Sequence, residues 1–157
     1  MTKFEKISLF LLRISLGWLF FYAGLVKILN SDWSAAGYLT HAKTFAGFYG
    51  WLASPAILPL INFVNEWGLA LLGVSLILGL FVRLSSVLGA VLMLLYYLPA
   101  NALPFVTNGY LVDEHIIFIF ALLFFAATHA GRVWGLENWC ANLPICAKFP
   151  KLRNLLG

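Results

Sequence analysis

ISLFLLRISLGWLFFYAGLVKIL, residues 7–29, is the stretch on which the fold turns. An α-helix rises about 1.5 Å per residue, so an apolar run of this length reaches across a hydrocarbon layer of about 30 Å. Lys3 and Lys6 precede it, as basic residues precede the apolar part of a secretory leader. The run is too long for such a leader, and Lys27 stands where a small-residue cleavage site belongs, so it reads as a permanent span. Three further stretches qualify, at about 57–82, 84–105 and 111–130. The composition agrees: the 157 residues are 62% hydrophobic and 10% charged, against roughly 25% charged in a soluble domain. So little charge implies a surface facing lipid. With no internal repeat and no linker, 1–157 reads as one all-α integral membrane domain, a bundle of four transmembrane helices.

The basic residues set its orientation. With four spans, the N-terminus, the Arg83 turn and the C-terminal tail share a side that carries Lys3, Lys6, Arg13, Arg83, Arg132, Lys148, Lys151 and Arg153. Only Lys27 and Lys43 fall opposite, so both termini are expected in the cytoplasm of a prokaryotic cell, with the protein multi-pass in the plasma membrane. The formal charge of +4 is therefore read as topology and not as a nucleic-acid surface. Spans two and three are expected to form a tight hairpin through 82–84, and span three to kink or end near Pro99 and Pro104. Between spans one and two, Tyr38, Ala42, Phe45, Tyr49 and Leu52 share one helical stripe. That pattern predicts a single amphipathic helix in the outer interface, anchored by Trp33 and Trp51, with a capping loop as the alternative.

Ionisable residues inside spans are costly and each marks a candidate site. Arg13, Gly17, Phe20, Gly24 and Lys27 share a face of span one, which should point into the bundle. Glu66 lies roughly 13 Å along span two at 1.5 Å per residue, on a stripe with Asn62, Ala70 and Gly73, at nearly the depth of Lys27. A Lys27–Glu66 pair is expected. Tyr96 on span three and Asp113, Glu114 and His115 at the start of span four complete an outward-opening cluster, with Arg13 apart near the cytoplasmic end. Structural alternatives stand beside each. Arg13 and Lys27 would snorkel to their headgroups, Asp113 would cap its helix with Glu114 favouring the dipole, and Glu66 would form a purely structural ion pair.

Cys140 and Cys146 have a C-x5-C spacing that fits neither a redox nor a zinc motif. His41, His115 and His129 are too scattered in depth for one metal or haem site, and no flavin or nucleotide fingerprint occurs.

Taken in order, Leu12-Arg13, Gly17-Trp18, Phe21-Tyr22-Ala23-Gly24 with Lys27, and Trp33-Ser34-Ala35-Ala36-Gly37-Tyr38-Leu39 resemble the DoxX/DoxD family. So do Asn65-Glu66-Trp67-Gly68-Leu69, Gly79 with Arg83, Asp113-Glu114-His115, and Ala130-Gly131-Arg132 with Trp134-Gly135-Leu136-Glu137. The likeness is strongest to the DoxD-type large subunit of thiosulfate:quinone oxidoreductase. That resemblance implies electron transfer from thiosulfate to membrane quinone and a separate DoxA-like small subunit as partner. Under it Glu66, His115 and Lys27 are the candidate catalytic groups, the first two handling protons and Lys27 meeting the oxyanion. Arg13, Phe20, Trp67, Tyr96, Asp113 and Glu114 are candidate substrate- or quinone-binding groups, with Phe20, Trp67 and Tyr96 available to stack on a quinone ring. Two other functions compete: a non-catalytic scaffold or assembly subunit, and a small-solute or lipid-binding transporter. Whether the chain forms a homo-oligomer is left open by the sequence.

Overall fold

The computed structural model describes residues 1–106 and 109–141, which leaves Cys146 and the tail lysines Lys148 and Lys151 with Arg153 outside the described residues. Helix α1 spans Lys3–Leu29, and two short helices follow, α2 (Ala36–Thr40) and α3 (Ala46–Leu52). The long helices α4 (Leu58–Leu78) and α5 (Val82–Ala100) come next, then a two-stranded hairpin of β1 (Phe105–Val106) and β2 (Gly109–Tyr110). Helix α6 (Glu114–Thr128), a 3-10 turn at Ala130–Arg132 and α7 (Glu137–Ala141) end the described chain.

Among the described residues α1, α4 and α5 are long and apolar enough to cross a membrane. The expected fourth span differs. Its helix is 15 residues, about 22 Å at 1.5 Å per residue and short of the roughly 30 Å hydrocarbon layer. The shortfall arises because Leu111 is left-handed (φ 61°) and Asp113, the N-cap, is extended, while His129 leaves the helix in a left-handed conformation (φ 49°). Large apolar side chains such as Phe4, Leu60, Leu71 and Phe120 lie more than half exposed, as lipid-facing residues do.

The long helices pack as two pairs, α1 along α4 and α5 along α6, while α4 and α5 touch each other far less. The first pair is close because of its small residues. A Cβ on Gly24 would lie 2.8 Å from both the Ala70 Cα and the Glu66 carbonyl oxygen, and one on Gly73 would lie 2.6 Å from the Gly17 carbonyl oxygen. The core between the pairs is Leu16, Phe20, Leu69, Leu76, Met93, Leu122 and Phe125. α1 begins one turn before the apolar run because Thr2 and Glu5 form a capping box, their side chains accepting each other's backbone N–H. The α4–α5 turn is Gly79-Leu80-Phe81, with Gly79 left-handed (φ 65°), so Arg83 falls inside α5 and not in the hairpin turn expected at 82–84.

The single interfacial helix expected between spans one and two is instead broken in two. Phe45 adopts a left-handed conformation (φ 55°), Lys43 donates its backbone N–H to the Pro99 carbonyl (3.0 Å), and Thr44 Oγ donates to the Asn101 carbonyl (2.7 Å). The physical reason lies in α5. Pro99 has no N–H, so the Leu95 carbonyl four residues back has no helical donor, and the last turn leaves further carbonyls open. Tyr49 Oη donates to the Leu95 carbonyl (3.1 Å) and Tyr38 Oη to the Tyr96 carbonyl (2.5 Å). Residues 38–49 thus cap the proline-terminated end of α5. Of the expected stripe, Tyr49 is fully buried while Phe45 is largely exposed.

Candidate functional site

Polar side chains collect at both ends of the bundle. The two collections differ in what their charges meet.

At one end Arg13, completely buried, donates from Nη1 to the Ala130 carbonyl (2.5 Å) and from Nη2 to the Trp134 carbonyl (3.4 Å). Its guanidinium carbon also lies 5.5 Å from the Phe10 ring centre, and Phe10 meets Trp134 edge to face. The chain after α6 therefore folds back under α1. It also closes α4, because Leu136 N–H donates to the Leu78 carbonyl and Glu137 N–H to the Gly79 carbonyl, both at 3.0 Å. A Cβ on Gly135 would lie 2.8 Å from the Gly79 carbonyl oxygen, so only glycine permits this approach. Glu137 is 7% exposed, and its carboxylate oxygens have no hydrogen-bond partner among the described residues. Burial raises its carboxyl above the ordinary glutamate value, an effect that Arg132 and Arg13 offset only in part. Arg13 neither snorkels to the surface nor reaches the other polar cluster: it lies 14 residues before Lys27 on α1, about 21 Å at 1.5 Å per residue.

At the other end a cavity of about 250 Å³ lies between α1, α4, α5 and the 31–57 segment. Lys27 is one wall, its Nζ 5.3 Å from the Trp33 ring centre and 5.9 Å from that of Tyr96. Tyr96 Oη donates to Asn65 Oδ1, and Asn65 Nδ2 in turn donates to the Ile61 carbonyl (2.7 Å). The Tyr96 ring meets Tyr38 edge to face and stacks on His115 at 6.1 Å between centres. Burial, then the proximity of Tyr49 and Asp113, pushes the Tyr38 hydroxyl up to about 12, so it serves as a neutral donor. Behind His115, Asp113 caps α6: its Oδ1 accepts the backbone N–H of His115 (3.0 Å) and Ile116 (3.2 Å), and its Oδ2 accepts Asn101 Nδ2 (3.0 Å). His115 Nδ1 lies 2.9 Å from that same Oδ2. Assigned from this network, Nδ1 carries the hydrogen toward Asp113 and Nε2 lies outside that contact.

The structure gathers only part of the expected cluster. Lys27 and Tyr96 line the cavity, His115 lies beneath the Tyr96 ring, and Asp113 anchors His115. The Lys27–Glu66 pair does not form: no carboxylate among the described residues stands within ion-pair distance of Lys27. Asn65 takes the inward position on α4, and Glu66, one residue on, is turned by about 100°. Trp67 is turned further, nearly half exposed beside Phe63 on the outer face. Phe20 is buried in the core against Phe118, away from the cavity, and Glu114 is exposed. Asn65, Trp33 and Tyr38 line the cavity although none was expected there: Trp33 was expected as an interfacial anchor and Tyr38 on the stripe of the interfacial helix. Asn65 was detectable as a polar residue on one stripe with Leu69, Leu72 and Leu76, which are buried with it. Among the described residues no three His, Cys, Asp or Glu side chains gather closely enough to hold a metal ion.

Compared with known proteins, residues 8–102, more than half of the chain, match the family model described as DoxX. No curated protein and no solved structure matches the chain.

Proposed function

The chain belongs to the DoxX family of membrane proteins, and we propose that it is the membrane subunit of an oxidoreductase that passes electrons from thiosulfate, or a related sulfur oxyanion, to membrane quinone at the Lys27–Tyr96 cavity. The observation that carries this reading is the environment of Lys27, an ammonium bracketed by the Trp33 and Tyr96 rings on the wall of a 250 Å³ cavity. A quinone ring is planar, apolar on its faces and hydrogen-bond accepting at its carbonyls, which matches flanking aromatic faces and one uncommitted N–H donor. When bound, quinone takes up two electrons and two protons, and two thiosulfate ions give up one electron each as an S–S bond joins them into tetrathionate. Lys27 Nζ donates to a quinone carbonyl and holds positive charge where the incoming sulfur oxyanion needs it. Tyr96 Oη, engaged with Asn65, fixes the ring that faces the ligand. His115, held by Asp113 with Nε2 free of that contact, relays protons, and Glu66, half-buried on α4, lies outside this path.

In this reading α6 is a fourth, shorter crossing paired with α5, and the distribution of basic residues puts both termini in the cytoplasm and the Lys27 end on the opposite face of a prokaryotic plasma membrane. A DoxA-like small subunit is the expected partner on that face. The test is thiosulfate-dependent reduction of a short-tailed quinone by the purified chain in nanodiscs, alone and with that subunit. Lys27→Met in a folded protein is expected to lower the rate at least tenfold. Absence of reduction in both forms overturns the reading and favours a second one, a non-catalytic scaffold. One observation favours that second reading: Arg13, completely buried, donates from both Nη atoms to backbone carbonyls of the chain after α6.

A further inference from the structure

A second cavity, about 720 Å³ and almost entirely apolar, runs between α4 and α5 where the two helices diverge. It adjoins the Lys27 cavity, with Val64, Leu92 and Leu95 lining both. From Leu95 it continues to Ser85, about 15 Å along α5 at 1.5 Å per residue. Ser85 has no proton left to donate to a ligand at that far end, because its Oγ donates to Ser75 Oγ (2.6 Å), which in turn donates to the Leu80 carbonyl. Leu71 and Leu88 on the rim are more than half exposed, so the groove opens sideways, toward lipid. Its floor is closed where Leu72 meets Gly89.

We infer that this groove holds the isoprenoid tail of the quinone whose head occupies the Lys27 cavity, and that the ligand reaches the site laterally between α4 and α5. The inference rests on the reading above and extends it to the tail. A polar, aromatic cavity that adjoins an apolar groove across Val64, Leu92 and Leu95 fits an amphiphile with a compact head and one long tail. A second helix laid on the groove would leave the polar end unused. Gly68 marks where the groove is roomiest, since a Cβ added there meets nothing nearer than the Val64 Cγ1 at 4.0 Å. Larger side chains at Gly68 therefore fill the groove without disturbing packing, and they raise helix propensity.

The experiment uses the full chain in nanodiscs and two probes with the same quinone head, one tailless and one with a ten-carbon tail carrying a terminal diazirine. Tailed probes concentrate in a bilayer whatever the protein does, so the readout is the tailed-to-tailless affinity ratio, compared between variants. Gly68→Leu and Gly68→Phe are expected to lower that ratio at least tenfold, and Leu60→Phe, on an exposed face outside the groove, to leave it unchanged. Photolysis of the parent protein, which needs no variant to fold, is expected to label peptides bearing Ser75 and Ser85. An unchanged ratio in both Gly68 variants, or labelling as strong around Leu60 and Phe120 as in the groove, overturns the tail channel while tailless binding keeps the head site standing. Binding of neither probe overturns both.

Discussion

Replacing Arg13 by Met removes a buried charge that ties α1 to the chain beyond α6, with little change in length. The 2.5 Å bond to the Ala130 carbonyl is charge-assisted and worth about 1.5–3 kcal/mol, and the 3.4 Å contact to Trp134 adds well under about 1 kcal/mol. The lost guanidinium also removes one of the two arginines that face the buried Glu137 among the described residues, a further penalty of about 1–3 kcal/mol for a poorly compensated buried group. Together these place the loss at about 2.5–7 kcal/mol, a span that contains the roughly 3–5 kcal/mol found when one member of a buried charge pair is removed. Unfolding in mixed micelles with increasing SDS measures it, and pairing the change with Glu137→Leu in a double-mutant cycle isolates the Glu137 share. The double variant should recover at least about 1 kcal/mol of the loss, because it removes the stranded carboxylate. A loss under about 0.5 kcal/mol for Arg13→Met, the level of a neutral surface change, would mean that the guanidinium reaches water, and the buried pin would be refuted.

Gly24→Val drives a side chain into the Ala70 and Glu66 backbone and should lower stability by about 1–3 kcal/mol, whereas Gly47→Ala, with open space around it, should shift thermal unfolding by no more than about 0.5 kcal/mol. Tyr49→Phe strips the Leu95 carbonyl of its donor at a cost of about 1–3 kcal/mol; adding Pro99→Ala restores a backbone N–H there, and the same measurement should show most of the loss recovered. The raised carboxyl of Glu137 gives a pH dependence of definite sign. Its stabilising contribution is full below the ordinary glutamate value of about 4.3 and is lost as pH rises through the raised folded value. Thermal midpoints should fall across that window in the parent and flatten in Glu137→Gln, and equal slopes in the two would remove Glu137 as the cause.

How much of this was legible in the sequence depended on whether a residue's partner lay on its own helix face. The three long helices follow from apolar length alone, and the closeness of α1 and α4 from Gly17, Gly24, Ala70 and Gly73 on facing stripes. The Asp113 cap is equally local, its partners being two and three residues on. The break at Phe45 was not legible, because its cause is the missing N–H of Pro99, more than fifty residues away. The Lys27–Glu66 pair failed for a related reason. Depth along two helices is read well from a 1.5 Å rise, but which of Asn65 and Glu66 faces inward is decided by which stripe packs, and both stripes on α4 pack against something.

Arg13 and Lys27 show why charge and spacing alone could not assign the site. Both sit on one face of α1, fourteen residues apart, each an ionisable group inside an apolar helix. They differ in what they meet. A guanidinium is a planar fork suited to fixed acceptors, and Arg13 finds two carbonyls of a turn that glycines at 131 and 135 let come close. A lysine ammonium is a compact charge that tolerates aromatic faces, and Lys27 meets two rings on the wall of a cavity with no carboxylate at ion-pair distance. A charge already matched by backbone acceptors holds the fold. A charge held by ring faces keeps its N–H donors available, and on that distinction we propose a ligand at the Lys27 end.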